Sequence, residues 1–183
     1  HSLGNIAFSA DGKFSSHLKV KVGPKGQYSE PIVHKNQIYI MTPNGYIVVY
    51  DDRGQFLWEL SVLPEGIGAK NDLYGGLAIN KDRLAVTTSL GEVLLISVST
   101  RRVVWRYDFK RPFRSAPIFH KEYIFGVTGD DIAISLDVKG KLRWSKKGPQ
   151  KNTKVFARVS PAASGNKVLF PFSGGSLVAL NAV

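Results

Sequence analysis

Acidic residues are candidates for chemistry in this 183-residue chain, because the side-chain oxygens of Asp, Asn and Glu bind Ca²⁺. Adjacent aspartates occur twice, as Asp51-Asp52 and as Asp130-Asp131. A quinone-dependent dehydrogenase would need such carboxylates with an aromatic floor for the quinone, and often adjacent cysteines. The chain has no cysteine, and neighbours on a strand point apart, so we interpret both pairs as turn formers. The sequence therefore predicts neither a metal site nor a bound cofactor.

Histidine and serine could support a metal site or a hydrolase, but their spacing favours neither. His34 and His120 occupy the same place after Pro-Ile-Val and Pro-Ile-Phe, which a repeat explains better than a metal does. No Gly-x-Ser-x-Gly nucleophile elbow occurs. The double glycines Gly75-Gly76 and Gly174-Gly175 lack the strand-to-helix context and the lysine of a phosphate loop. We therefore expect no catalytic residue and a protein that is not an enzyme.

The elements that position these side chains form a repeat around three tryptophans. Trp58, Trp105 and Trp144 each end a strand that follows another strand and a polar turn. Gly54 and Gly140 stand four residues before their tryptophans, where a tight turn needs a positive φ angle. The spacing of about 40 residues is typical of one blade of a β-propeller.

Short apolar strands between polar turns fill the rest of the repeat, and no stretch has sustained helical periodicity. The sequence predicts four strands per unit, and the first strand of each is predicted at Glu30–Val33, Gly76–Ile79, Ala116–Phe119 and Val159–Ala163. Complete blades are predicted at residues 29–66, 75–111 and 115–150, and partial blades at 4–22 and 159–183. The predicted fold class is therefore all-β, with four-stranded antiparallel blades.

Propellers avoid open sheet edges by closing a ring of roughly four to eight blades. Two arrangements are open: the N-terminal strand completes the last blade of a four-bladed ring, or the chain is part of a larger ring. The wide, tryptophan-docked blades favour the second. We expect about four blades, half of an eight-bladed ring, with open sheet edges available for self-association or for the absent half.

The chain is strongly basic, with 25 Lys and Arg against 14 Asp and Glu and a net charge of +11. Fifteen of these cations lie between Arg101 and Arg158, where only five acids occur. Such a charge favours acidic partners or anionic surfaces, although it also serves solubility alone. The aromatic residues lie at strand positions rather than interleaved with arginine on a binding surface, so we expect no nucleic-acid binding.

The repeat of strand end, turn glycine and tryptophan resembles the quinoprotein-type (PQQ-like) repeat. Five segments are similar, more specifically, to the B-type lipoprotein subunits (BamB-like) of the outer-membrane β-barrel assembly machinery, in their alphaproteobacterial form. These segments are Ser29–Val33, Gly75–Ala78, Leu84–Val93, Arg114–Pro117 and Ser160–Gly165. The resemblance covers residues 20–181 and corresponds to the N-terminal half of that family's ring. It lacks the second half and the acylated cysteine of the lipoprotein.

The resemblance implies a non-enzymatic scaffold in the periplasm, associated with the outer membrane through a lipid anchor that this sequence does not contain. Such a scaffold binds the periplasmic domains of the barrel-forming subunit and assists insertion of outer-membrane proteins. Trp58, Trp105 and Trp144 are then structural residues that dock between neighbouring blades. A fragment of a quinoprotein-like dehydrogenase, or another protein-binding propeller, is the alternative.

The resemblance also implies a protein-binding loop before Ser160-Pro161. Val155, Phe156 and Arg158 match the family's Leu-x-Leu-Arg element in part. Aromatic and arginine side chains commonly carry binding energy, so these residues are the predicted interface. An ordinary loop between blades, with Arg158 in a surface ion pair, is the alternative. The family's acidic contact residues would lie beyond Val183.

Overall fold

A computed structural model of the chain describes residues 22–68, 72–149 and 159–182. These ranges contain fifteen strands arranged in four antiparallel sheets, which confirms the predicted all-β fold class. They include no helix long and apolar enough to cross a membrane. The chain divides into two compact units, residues 1–72 and 73–183. The partial blade predicted at 4–22 lies outside the described residues except for Val22.

The described residues of the first unit form one blade of four strands, paired in chain order. The strands are β1 (Ile32–His34), β2 (Gln37–Met41), β3 (Tyr46–Asp51) and β4 (Phe56–Ser61). Its core includes Ile47 and Val49, which are fully buried, and Tyr39, whose ring centroid lies 6.1 Å from that of Trp58 in an edge contact.

The second unit contains three blades. The second blade consists of β5 (Gly75–Asn80), β6 (Arg83–Thr88), β7 (Glu92–Ser97) and β8 (Arg102–Asp108). The third consists of β9 (Ile118–His120), β10 (Tyr123–Val127), β11 (Ile132–Asp137) and β12 (Leu142–Lys147). The fourth has three described strands, β13 (Ala162–Ser164), β14 (Lys167–Phe172) and β15 (Ser176–Asn181).

Apolar packing between sheets forms the cores of the second unit. One cluster joins Val93 and Leu95 of the second blade to Ile124 and Ile134 of the third. Another joins the third blade to Val168, Phe170 and Phe172 of the fourth. A central strand such as β7 is therefore buried on both faces, which explains its unbroken apolar run Val93–Ile96. The outer strand β8 instead alternates between half-buried and exposed side chains.

The tryptophans of the second unit contact the following blade. Trp105 Nε1 donates a hydrogen bond to the Val138 carbonyl oxygen of the third blade, at 3.0 Å. The Trp144 ring centroid lies 5.8 Å from that of Phe170 in the fourth blade. In each complete blade the register shifts by one residue just before the tryptophan. Such a bulge bends the outer strand and re-aims the side chains beside it.

Proline sets where the first strand of a blade begins. β1, β9 and β13 each start immediately after a proline, at Ile32, Ile118 and Ala162, and so begin later than predicted. Proline has no N–H to donate to the ladder and is disfavoured inside strands. The second blade has Leu77 in place of that proline, and its first strand begins earlier, at Gly75.

Gly140→Ala tests the contact between Trp105 and the following blade. Gly140 has a φ of +87°, and a Cβ there would lie 2.8 Å from the Trp105 ring. We expect the free energy of unfolding, measured by urea titration, to fall by about 3 kcal/mol, combining backbone strain with overpacking.

The matched control is Gly175→Ala, because Gly175 has a φ of +75° and open space around the Cβ position. Its expected loss is about 1 kcal/mol, from the backbone alone. Equal losses in the two variants would show that Trp105 does not press on the turn.

Candidate functional site

Turns and connections at one end of the second unit form a continuous hydrogen-bonded surface. We define this loop face as the turns Thr88–Gly91, Thr128–Asp131 and Ser173–Gly175, together with the connection 109–117 and the described residues 148–149 and 159–161 of the connection 148–161. Backbone bonds join its parts: the Phe109 amide donates to the Gly91 carbonyl oxygen at 2.8 Å, and the Gly129 amide to the Pro112 carbonyl oxygen at 2.8 Å. The surface is therefore held by the backbone rather than by long side chains alone.

The predicted interface residues Val155, Phe156 and Arg158 belong to the connection 148–161 but lie outside the described residues. The start of that connection is anchored on the loop face. The Gly148 amide donates to the Asp131 carbonyl oxygen at 2.7 Å. Gly148, which precedes the predicted loop, is thus held beside the turn that connects β10 and β11.

Asp131 is the residue that ties this turn to the next blade. Its carboxylate accepts a hydrogen bond from the Ser173 amide at 2.8 Å and another from the Ser173 hydroxyl. Its φ of +66° is a left-handed conformation, and the matching turn positions in other blades hold glycine, as at Gly91 and Gly175. An aspartate tolerates this conformation better than most residues, and here its side chain gains a partner across the blades.

Asp130, the neighbour of Asp131, pairs with Arg111 on the connection 109–117. Partial burial by itself would raise the pKa of Asp130. Hydrogen bonds from the Thr128 hydroxyl and from Arg111, together with the charge of Arg111, outweigh burial and lower the pKa below its usual 3.8. Asp130 is therefore a stable anion that fixes an otherwise exposed arginine.

Glu92 is the buried acid at this end of the second unit, with 7% of its surface exposed. Its carboxylate accepts a hydrogen bond from Arg106 Nη1 at 3.1 Å. Burial raises the pKa of Glu92 above 4.5, Arg106 opposes that shift, and the nearby charge of Asp108 adds to it. Glu92 and Asp130 therefore have pKa values shifted in opposite directions.

The aspartate pairs singled out in the sequence act in turns. Asp51 Oδ1 accepts hydrogen bonds from the amides of Arg53 and Gln55, at 3.0 and 2.7 Å. In the part of the chain that the structure describes, no group of three or more His, Asp and Glu side chains is placed to hold a metal ion.

The opposite end of the second unit carries a different set of contacts. His120 Nε2 lies 2.8 Å from the Gly165 carbonyl oxygen, so the histidine of this repeat contacts the backbone of the fourth blade. Arg83 forms an ion pair with Glu122 at 2.9 Å, with both side chains largely exposed. These turns provide a natural reference surface for experiments on the loop face.

Opposite pH dependences are expected for Asp130→Asn and Glu92→Gln. The lowered pKa of Asp130 adds stability above pH 3.8 that is lost as the pH falls below it, so Asp130→Asn should destabilise more at pH 7 than at pH 3. Exposure of this pair keeps the expected effect under about 1 kcal/mol.

The raised pKa of Glu92 means that the folded protein loses stability as the pH rises above 4.5. Glu92→Gln should remove that loss, so this variant becomes more stable relative to the parent as the pH rises. Urea titrations between pH 3 and pH 7 measure both slopes, and slopes of the same sign would contradict the assignment.

Solved structures share this fold at low sequence identity. BamB from Moraxella catarrhalis matches with a TM-score of 0.71 and 16% identity, over 84% of this chain and 45% of its own. The computationally designed Ika4 protein matches with a TM-score of 0.70 and 16% identity, over 87% and 94%. A quinohemoprotein alcohol dehydrogenase, ADHIIG from Pseudomonas putida HK5, matches with a TM-score of 0.64 and 18% identity, over 83% and 32%. The chain therefore spans less than half the length of that BamB structure.

Sequence comparison gives the family. No curated protein sequence matches the chain. A family model described as outer membrane protein assembly factor BamB matches residues 43–183, which is most of the chain and includes all three tryptophans. With this match and the blade architecture together, the chain belongs to the PQQ-like repeat family of the outer membrane protein assembly factor BamB.

Proposed function

We propose that this chain is a non-enzymatic scaffold that binds periplasmic domains of the barrel-forming subunit in the outer-membrane β-barrel assembly machinery, and so assists insertion of outer-membrane proteins. The observation that carries the proposal is the family match over residues 43–183, which includes the predicted interface loop. The protein would act in the periplasm at the outer membrane, through a lipid anchor outside this sequence.

The loop face supports protein binding because it is a prearranged surface. The Asp131 carboxylate, the Ser173 amide and the Gly148 amide join two blades and the start of the predicted loop. A platform held in this way limits the conformational entropy that binding costs. Val155, Phe156 and Arg158 would then be presented from a defined origin, with Phe156 and Arg158 contributing most of the affinity.

The charge of the loop face favours an acidic partner surface. Lys110, Arg111 and Lys147 are exposed at this end of the second unit, and Asp130 compensates Arg111. Unlike charges across an interface speed encounter and select the partner. We therefore expect the partner domains to present carboxylates to this face.

In this proposal Trp58, Trp105 and Trp144 are structural residues that dock the blades. Support comes from the hydrogen bond between Trp105 and Val138 and from the contact between the Trp144 and Phe170 rings. Aromatic rings of this size contribute both apolar area and edge contacts to such an interface.

The alternative function is that of a quinone-dependent dehydrogenase fragment. It is favoured by one observation, the similarity in fold to a quinohemoprotein alcohol dehydrogenase. Titration of the purified chain with pyrroloquinoline quinone and Ca²⁺, followed by absorbance and calorimetry, distinguishes the two. Stoichiometric binding of the quinone would contradict the scaffold proposal.

Arg158→Glu tests the scaffold proposal directly. We expect it to weaken binding to purified periplasmic domains of a barrel-forming subunit by about tenfold or more, since a hot-spot charge is reversed. Calorimetry measures the affinity, and a urea titration should show an unchanged midpoint if Arg158 lies in the predicted loop.

The matched control is Arg53→Glu, which makes the same charge change in an exposed turn of the first blade. It should leave the affinity within about twofold of the parent, apart from the general loss of positive charge. If Arg158→Glu and Arg53→Glu bind alike, the loop is not the interface.

A further inference from the structure

The basic residues of the second unit are concentrated at the end opposite the loop face. We define the basic turn face as the turns 80–83, 97–102, 120–122, 137–141 and 164–167. These turns hold eight Lys and Arg and three acids, whereas the remainder of residues 73–149 and 159–182 holds seven and four. Most of the excess positive charge of the described part of this unit therefore lies at one end.

Contacts between blades join these turns into one continuous surface. Arg83 of the second blade forms an ion pair with Glu122 of the third, at 2.9 Å. Lys121 Nζ of the third blade donates a hydrogen bond to Asn166 Oδ1 of the fourth, at 3.3 Å. The cations of three blades therefore act together on whatever lies against this end of the unit.

The cations form two rows, one on the inner turns and one on the outer turns of the blades. Two strand spacings, about 10 Å, separate the rows. Seven of the eight residues are exposed, and the Arg83 side chain is 42% exposed. Such a spread of cations fits an extended layer of anions better than one small anion in a pocket. The inner row is Lys81, Arg83, Lys121 and Lys167, and the outer row is Arg101, Arg102, Lys139 and Lys141.

Two of the three acids on this face hold the turns in shape. Asp82 Oδ1 accepts a hydrogen bond from the Ser99 amide at 2.7 Å. Asp137 Oδ1 accepts hydrogen bonds from the amides of Lys139 and Lys141, each at 3.0 Å. Aspartate commonly bonds the backbone of its own turn in this way. These carboxylates therefore fix the backbone that presents the cations.

Three of the cations stand in a left-handed backbone conformation that favours glycine. Arg101 has a φ of +53°, and the other two complete blades have glycine at this distance before their tryptophan. Lys81 and Lys121 have φ angles of +57° and +54°, where the fourth blade has Gly165 at +57°. Glycine adopts this conformation without the steric cost that a side chain adds. Turn geometry alone therefore does not account for a cation at these positions.

The basic turn face has no apolar anchor of the kind that protein interfaces use. Protein interfaces centre on apolar and aromatic side chains and are depleted in lysine. Attraction to lipid headgroups, in contrast, needs only cations near the membrane surface. None of the exposed large apolar side chains of the described residues lies in these turns; they are Val33, Phe56, Ile67, Val104, Val159 and Leu177.

We propose that the basic turn face lies against an anionic membrane surface and binds its phosphate headgroups. Each Lys or Arg near such a surface adds to the attraction, which falls off within a Debye length. Binding in this orientation directs the loop face, at the opposite end of the unit, away from the membrane and leaves it open to protein partners. The inference goes beyond the proposed function and does not depend on it.

Cosedimentation with lipid vesicles tests this proposal on the 183-residue chain alone. The chain should bind vesicles of phosphatidylcholine that contain about one third phosphatidylglycerol, and it should not bind vesicles of phosphatidylcholine alone. Because the attraction is electrostatic, the affinity should fall as the salt concentration rises.

Lys139→Glu with Lys141→Glu should weaken binding to the anionic vesicles by about thirtyfold, because two cations near the surface are lost and two acids are added. The matched control is Lys146→Glu with Lys147→Glu, which makes the same charge change at the other end of the same strand hairpin. It should stay within about threefold of the parent, since it alters only the overall charge. All four lysines are exposed, so the urea midpoints of both variants should match that of the parent.

Two crossed measurements separate this proposal from the scaffold proposal. Arg158→Glu should leave vesicle binding within about threefold of the parent, because it changes the overall charge without altering the basic turn face. Lys139→Glu with Lys141→Glu should leave the affinity for the periplasmic domains of a barrel-forming subunit within the same limit. Either proposal can therefore fail while the other stands.

Three results would overturn the membrane proposal. They are equal binding to the anionic and the neutral vesicles, equal losses in the two double variants, and binding of a short DNA duplex without binding of anionic vesicles at about 0.15 M salt. The last would assign the basic turn face to nucleic acid.

Discussion

Apolar contact between neighbouring sheets is the interaction on which the other features of this protein depend. Phe113 and Phe125, both fully buried, belong to the two clusters that join the three blades of the second unit. Packing of this kind leaves no room for charges on the faces of the central strands. The charged groups of the described residues in the second unit therefore lie in the turns, in the connections, on the outer strands or at the ends of the central strands. Any partner must be recognised there.

The confinement of charge to the ends of the sheets explains the electrostatics of the loop face. Glu92 stands where a central strand meets this end, so burial raises its pKa even though Arg106 is paired with it. Asp130 lies in the turn between β10 and β11 of the third blade and is more exposed. Its hydrogen bonds to Thr128 and Arg111 lower its pKa. Two acids at the same end of the second unit thus have pKa values shifted in opposite directions, because burial outweighs the paired arginine at Glu92 and hydrogen bonds and charge outweigh burial at Asp130.

Most of the fold could be predicted from the sequence because each repeat can be recognised from residues that are close together in the chain. Turn residues and apolar runs located the strands, and the spacing of Trp58, Trp105 and Trp144 showed the length of the repeat. The first strands of three blades were predicted to begin too early, since the proline before Ile32, Ile118 and Ala162 was not given its full weight. The bulge before each tryptophan has no local signature and depends on packing between blades.

The candidate site was predictable only in part. The loop 153–158 was found through resemblance, and its residues lie outside the part of the chain that the structure describes. The Asp131 clamp on Ser173 was missed, because Asp130-Asp131 was interpreted as a turn former and its partner is 42 residues away. One signal was present: Asp131 stands where the other blades have glycine.

Hydrogen exchange with mass spectrometry would show which surfaces of the chain a partner covers. The chain would be compared alone and saturated with purified periplasmic domains of a barrel-forming subunit. We expect slower exchange in the connections 109–117 and 148–161 and in the turn Thr128–Asp131, with no change in the opposite turns around Glu122 and Gly165. Protection confined to those opposite turns, or no protection at saturating concentration, would contradict it.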